Sequence, residues 1–357
     1  MKTIKVALDG GRSYDIIIGS GASEKLSDLP DAGKRLLVFD DKTLELYGER
    51  FKPAGTAEFS FGRGETDKTI DSVLGICRAA LAAGVDRTGC FTAVGGGVTG
   101  DLTGFAAGIY LRGVSCIQVP TTLLAMVDSS VGGKTAADLP EGKNLIGVFH
   151  QPEMVLIDTD FLQTLPVKEL RNGLAEVVKM AAGFDAGFFE FLERNSEKCA
   201  TVDGFSLIAD SAVGRCCELK AEVVAMDECE GASGIRAKLN YGHTFGHAVE
   251  SSCGFRYSHG ECVAIGMVLA GIAAMKRNLW SEIEQTRLVT LLQRLQLPTT
   301  IPDGLDFETI LAPMLHDKKN VNGMVTLILP CKLGELTVMR DFKADELREI
   351  WIAGGGK

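Results

Sequence analysis

Aromatic residues are scarce in this 357-residue chain, 7% of the total with only two tryptophans, so any core must be built from Ala, Val, Leu, Ile and Gly. That habit belongs to compact α/β enzymes and not to disordered chains, which lack the 46% apolar content found here. Cationic excess is also missing: 37 Lys and Arg face 47 Asp and Glu, a formal charge of −10, which argues against a general nucleic-acid surface. The ten cysteines form no CxxC pair and no apolar segment follows Met1, so reduced thiols in a cytoplasmic protein are expected. Val263 to Met275, an apolar run broken by two glycines, is too short for a membrane span, and no membrane partner is expected. Internal repeats and long linkers are absent too.

At this length two domains are expected. Tyr14 to Ile18, Arg35 to Phe39, Ala57 to Phe61, Cys90 to Val94, Val114 to Val119 and Met154 to Ile157 read as strands. Helical patterns at Lys68 to Ala83 and Asp101 to Tyr110 separate them, giving the rhythm of a parallel, Rossmann-like α/β layer over residues 1–165. From 166 to 357 the pattern becomes mainly α-helical, at Lys168 to Ala182, Phe205 to Met226, Tyr241 to Ser252, Glu261 to Lys276 and Ala344 to Trp351. A late strand pair is expected at Met324 to Leu329 with Glu335 to Val338, and a frayed Gly-Gly-Gly-Lys tail after it.

The turn from Gly95, Gly96 and Gly97 through Val98 to Asp101 joins a strand to a helix, where backbone N–H groups can face a pyrophosphate. It is not a GxGxxG fingerprint, and tight packing would explain it equally well. Asp40, at the end of a strand, suits a ribose diol or else caps the helix from Thr43; Glu65 and Lys68 suit the adenosine end or form a surface pair.

Of five histidines, three cluster: His243, His247 and His259. The first two are four apart, on one helix face, and spacing alone selects them as a ligand pair, with Glu176, Glu250 and Glu261 as further candidates. Lys134, Lys143 with Asn144, and Lys179 lie among apolar or small residues, where a lysine needs partners. Arg112, Lys220, Arg236, Asn240, Lys318 and Lys319 could also grip phosphate or carboxylate oxygens, although each alone is better explained as a salt bridge or a solvated surface residue. Gly-Gly-Lys-Thr at 132 to 135 is not a P-loop, because Asp128 stands where the first glycine is required.

Together these segments resemble the 3-dehydroquinate synthase family over nearly the whole chain. The resemblance is carried by GGGVTGD at 95–101, YLRG at 110–113, PTTLLA at 120–125, DSSVGGKT at 128–135, GKN at 142–144 and AEVVK at 175–179. NYGHTFGHAVE at 240–250, HGECV at 259–263 and DKK at 317–319 extend it. It implies a cytoplasmic homodimer whose N-terminal domain binds NAD and whose helical C-terminal domain binds a divalent metal, zinc or cobalt. The implied metal ligands are Glu176, His243 and His259, which moves His247 to the substrate. Implied cofactor positions are Asp40, Glu65, Lys68, Gly95, Gly96, Gly97, Val98, Asp101, Thr121, Thr122, Lys134, Lys143, Phe161, Thr164 and Leu165. Asp128, Lys134, Lys143, Asn144, Lys179, Lys220, Arg236, Asn240, His247 and Lys318 or Lys319 are implied around the substrate, with Arg112 lent across the dimer. The implied reaction converts 3-deoxy-D-arabino-heptulosonate 7-phosphate to 3-dehydroquinate and phosphate, through transient oxidation by NAD, elimination, re-reduction and an intramolecular aldol closure. Two positions depart from the pattern: Lys42, where a small polar residue is usual, and the turn Glu230 to Arg236, two residues longer than usual. A sibling sugar-phosphate cyclase, a metal-dependent polyol dehydrogenase and a non-enzymatic NAD-binding protein are the competing readings.

Overall fold

The computed structural model describes residues 1–29, 34–55, 57–231, 234–254, 256–315 and 324–357. The chain forms two compact units, Met1–Leu165 with Ala209–Cys229, and Pro166–Ile208 with Glu230–Lys357.

The first unit is built on β1 (Lys2–Val6), β2 (Tyr14–Ile18), β3 (Arg35–Asp40), β4 (Ala57–Phe61), β5 (Cys90–Gly95), β6 (Ser115–Pro120), β7 (Lys134–Leu139), β8 (Gly142–Phe149) and β9 (Met154–Ile157). Seven strands make one sheet in the order β1-β2-β9-β6-β5-β3-β4, parallel except for β1, which runs antiparallel to β2. β3 shows why its sequence is a continuous apolar run: both faces are covered. Leu36 and Val38 join a core with Val73, Ile76, Leu102 and Phe105 from the helices Ile70–Ala82 and Gly97–Ile109. Phe39 instead meets Phe51 at a ring separation of 6.5 Å. β7 and β8 form a separate antiparallel hairpin that packs on the Gly97–Ile109 helix.

Sequence patterning anticipates all the parallel strands but misses β1, β7 and β8. The hairpin is rich in Ala, Gly, Asn and Lys and lacks β-branched alternation, so it reads as motif residues instead of strand. The segment expected as one helix from Phe205 is a short helix, Val202–Ser206, then a long one, Ala209–Met226, which packs on β1 and β2 in the first unit.

In the second unit, helices Val167–Phe184, Ala186–Arg194, His243–Ser252, His259–Lys276, Glu282–Arg294, Phe307–Leu315 and Ala344–Ala353 accompany the hairpin of β10 (Val325–Lys332) and β11 (Glu335–Phe342). His259–Lys276 corrects one expectation. With a mean hydropathy of 1.3 it has the length and composition of a span, but 72% of it is buried inside the protein, as befits a core helix apolar all round. The glycine tail is not frayed either. Gly354 and Gly356 N–H groups cap the last helix by donating to Ile350 and Trp351 carbonyls at 3.0 Å, and Lys357 O accepts from Phe307 N at 3.2 Å.

Candidate functional site: a buried carboxylate among imidazoles

His243 opens one helix of the second unit and His259 opens the next, and close contact between these helices sets their separation. Gly266 lies against the Gly242 carbonyl so tightly that a Cβ there would sit 1.9 Å from the oxygen. Ser258 caps the second helix in a capping box with Glu261, which occupies Glu261 at 2.7 Å from Ser258 N and removes it from the ligand candidates. From the Val167–Phe184 helix comes Glu176, with no solvent exposure.

Glu176 Oε1 lies 3.3 Å from His259 Nε2 and 3.7 Å from His243 Nε2, while Lys179 Nζ stands 2.5 Å from Oε2. Both oxygens are buried, and neither receives a well-directed hydrogen bond. The outward nitrogens of both histidines face acceptors: His243 Nδ1 is 3.1 Å from Tyr241 O, and His259 Nδ1 is 3.3 Å from Glu250 Oε2. With Nδ1 protonated on each ring, two Nε2 lone pairs and an under-satisfied carboxylate converge, a donor set suited to zinc or cobalt. His247 is exposed, its ring 5.1 Å from that of His243 and 5.7 Å from that of His259. One ring nitrogen from each of the three histidines lies within 4.8 Å of the others, so the pair chosen by spacing does share a face, while Glu176 adds a buried negative charge on the Nε2 side of His243 and His259.

The electrostatics are those of a site organised around positive charge. Burial alone would raise the Glu176 carboxyl, yet Lys179, His243 and His259 hold it well below the usual carboxylate range. Burial drives the His243 imidazole well below its usual value, toward the neutral form. His259 is also opposed by burial, but the Glu176 and Glu250 carboxylates, each 3.3 Å from one of its ring nitrogens, raise it to about 10. Without a cation His259 therefore carries a proton that a metal would displace.

The first unit gathers another set. Buried Lys68 donates to Asp101 Oδ2 and Asn144 Oδ1, both at 2.6 Å, and Lys143 Nζ lies 3.3 Å from Glu65 Oε1. Burial works against the Lys68 charge, but Asp101 and Glu65 outweigh it and raise its pKa. Asn144 adopts φ +53 and donates its N–H to Asp138 Oδ1 at 2.7 Å. Asp40 is indeed a helix N-cap, its Oδ1 accepting from Lys42 N and Thr43 N, while Oδ2 accepts from the Thr99 hydroxyl at 3.3 Å. Lys42 pairs with Glu45 on its own helix at 2.9 Å. Gly95 ends β5, and Gly96 and Gly97 bring the backbone within 3.3 Å of Thr122 and 3.1 Å of Ser129, measured from the Cβ each lacks, as Val98 continues the helix. Thr121 N donates to Gly95 O at 2.9 Å. The Thr164 hydroxyl donates to Phe161 O at 3.0 Å and contacts Tyr47 OH; the Phe161 ring is 4.7 Å from that of Tyr47, and Leu165 is buried beside them.

Lys220 donates to Asp128 O at 2.6 Å and pairs with that residue's carboxylate. Lys134 is exposed at the start of β7. Arg112 is exposed on a left-handed turn, φ +70 after Leu111 at +50. In the second unit Arg236 is buried, and Asn240 Nδ2 donates to Glu230 Oε1 at 3.1 Å. Lys318 and Lys319 lie outside the described residues, as does part of the long turn before Arg236.

Sequence reasoning missed Tyr47, Asp138 and the Tyr241 carbonyl, and gave Glu250 no role toward His259. Glu250 was accessible, being seven residues, two helical turns, beyond His243. The Tyr241 contact is backbone and has no sequence signature.

Residues 58–172 match the 3-dehydroquinate synthase N-terminal family, and residues 173–320 match its C-terminal counterpart. The 3-dehydroquinate synthase of Nostoc punctiforme is 43% identical over 350 residues, 95% of this chain and 96% of that protein. That of Desulforamulus reducens is 44% identical over 361 residues, 98% and 99% respectively. Among solved structures, 2-deoxy-scyllo-inosose synthase with carbaglucose-6-phosphate, NAD+ and Co2+ aligns at TM-score 0.86 and 28% identity, over 99% of this chain and 100% of that one. The 2-epi-5-epi-valiolone synthase of Streptomyces hygroscopicus, with NAD+ and Zn2+ bound, aligns at 0.85 and 29% over 98% of each.

Proposed function

The chain belongs to the 3-dehydroquinate synthase family, and from that premise we propose that it converts 3-deoxy-D-arabino-heptulosonate 7-phosphate to 3-dehydroquinate and phosphate, on the way to aromatic amino acids. It is a phosphate-eliminating lyase whose cofactors are NAD and a divalent metal. The observation that carries the reading is Glu176, a fully buried carboxylate whose Oε1 faces two imidazole Nε2 atoms without a directed hydrogen bond.

When bound, the metal would supply Lewis acidity at a substrate alcohol, and NAD a hydride acceptor and donor there. Glu176, His243 and His259 hold the metal, and Lys179 keeps Glu176 ionised. Exposed His247, beside that cluster, holds or passes a proton at the substrate. Asp40, Glu65, Lys68, Gly95, Gly96, Gly97, Val98, Asp101, Thr121, Thr122, Phe161, Thr164 and Leu165 bind the dinucleotide, aided by Lys134 and Lys143.

Asp128, Lys134, Lys143, Asn144, Lys179, Lys220, Arg236, Asn240 and one of Lys318 and Lys319 orient the anionic substrate. Eliminating phosphate leaves a chain that closes on itself, and holding it in one conformer supplies much of the acceleration of that closure. The working protein is a cytoplasmic homodimer in this reading, with Arg112 reaching the partner's phosphate. Support for that placement is its exposure on a turn flanked by exposed Ile109 and Leu111.

Phosphate release from the heptulosonate phosphate, measured with substoichiometric NAD while NADH absorbance is followed, tests the activity. Release that stops with EDTA, returns with zinc and leaves no net NADH is expected, with 3-dehydroquinate as product. Accumulating NADH would mark a dehydrogenase, and a different carbocycle would mark a sibling cyclase.

A further inference from the structure

We propose that Glu250 is a positioning residue that sets the tautomer of His259 for metal binding. The inference rests on Glu176, His243 and His259 being the ligands.

The His259 ring sits between two carboxylates, with Nε2 3.3 Å from Glu176 Oε1 and Nδ1 3.3 Å from Glu250 Oε2. A neutral imidazole has one proton for its two nitrogens, and an ionised carboxylate only accepts. Glu250 therefore draws the proton to Nδ1 and leaves the Nε2 lone pair turned toward Glu176, where a cation is coordinated. His243 achieves the same state differently, through the backbone carbonyl of Tyr241 at 3.1 Å. Of the two fixtures, the one on His243 comes with the fold, whereas the one on His259 depends on a side chain.

Glu250 is placed for this. It is 5% exposed and lies on the His243–Ser252 helix two turns beyond His243, so the helix that carries one ligand also orients the other. A buried carboxylate costs free energy unless paired, and outer partners of metal-bound histidines commonly govern affinity.

Zinc affinity by chelator competition, on the folded full chain, is the test. Glu250→Ala is expected to weaken zinc about 10- to 100-fold. Glu250→Gln, nearly isosteric and still an acceptor through its amide oxygen, is expected to lose only about fivefold, because the charge assistance is gone. Nitrogen NMR of His259 in the metal-free proteins, followed upward in pH until the ring loses its second proton, reports the tautomer directly. The Nδ1-protonated form, dominant in the parent when neutral, is expected to give way to a mixture in Glu250→Ala, or in Glu250→Gln to a lesser extent if the alanine variant does not fold. Unchanged zinc affinity and an unchanged tautomer overturn the inference, even if melting temperature falls, since that fall alone describes a structural ion pair. Glu176→Ala separates the two levels: if it too binds zinc as tightly as the parent, the metal reading itself is wrong.

Discussion

Lys68 and Asp101 show at the residue scale how a proposed cofactor position and a stability element can share atoms. Burial already pushes the Asp101 carboxyl up, and Lys68 at 2.6 Å opposes that. Lys68→Met strands the largely buried carboxylate, and a loss of about 3 kcal/mol in denaturant unfolding at pH 8 is expected. An acid whose folded pKa exceeds its unfolded one is stabilised below its unfolded pKa, and that contribution is lost as pH rises through the folded pKa. The deficit of Lys68→Met should therefore shrink from pH 8 to pH 5; a constant deficit would mean Asp101 is not the group left behind. Thiols supply a second residue-scale prediction. Burial pushes Cys199 up to about 11 and Cys217 to about 12, so at pH 8 no more than about one part in a thousand is thiolate. A thiol reagent is expected to modify exposed Cys229 first and to reach Cys199 and Cys217 only on unfolding.

Elements bring the metal candidates together through backbone proximity as much as through side chains. Gly266→Ala would drive a methyl to 1.9 Å from Gly242 O, forcing apart the helices that begin at His243 and His259. A loss of about 3 kcal/mol or more is expected, with zinc affinity falling alongside, read by urea titration and chelator competition. Stability lost with zinc binding intact would mean that the ligands tolerate helix separation. Much of this arrangement was legible, because β2, β4 and β9 follow the apolar runs to their boundaries and the histidine spacing declares a shared face. Other parts were hidden for physical reasons. The β7–β8 hairpin takes its order from packing on a helix, and spacing alone does not bring Glu176, which the family resemblance supplied, to the histidines from a helix about seventy residues earlier.

At the scale of the whole molecule, the residues proposed for NAD and those proposed for the metal lie in different units, so the effects of the two cofactors should be separable by hydrogen exchange. Zinc is expected to protect amides in His243–Ser252 and His259–Lys276, and NAD those in Gly97–Ile109 and the β7–β8 hairpin. Zinc at a thousandfold excess over its Kd should add about 4 kcal/mol to the stability of the segments that hold it, removable by EDTA. Protection by zinc confined to the first unit would contradict the ligand assignment.

The path of the chain between units carries a consequence for synthesis. Strand β1 leaves the ribosome well before the helix that covers it, Ala209–Met226, which emerges about 200 residues later. At roughly 5–20 residues per second the uncovered strands wait for roughly 10–40 s, exposed at the edge of a half-built sheet. A fragment ending at residue 165 would remain in that state permanently, so its aggregation during expression, relieved by supplying residues 166–357 in trans, is the behaviour expected of a unit whose last piece is delivered late.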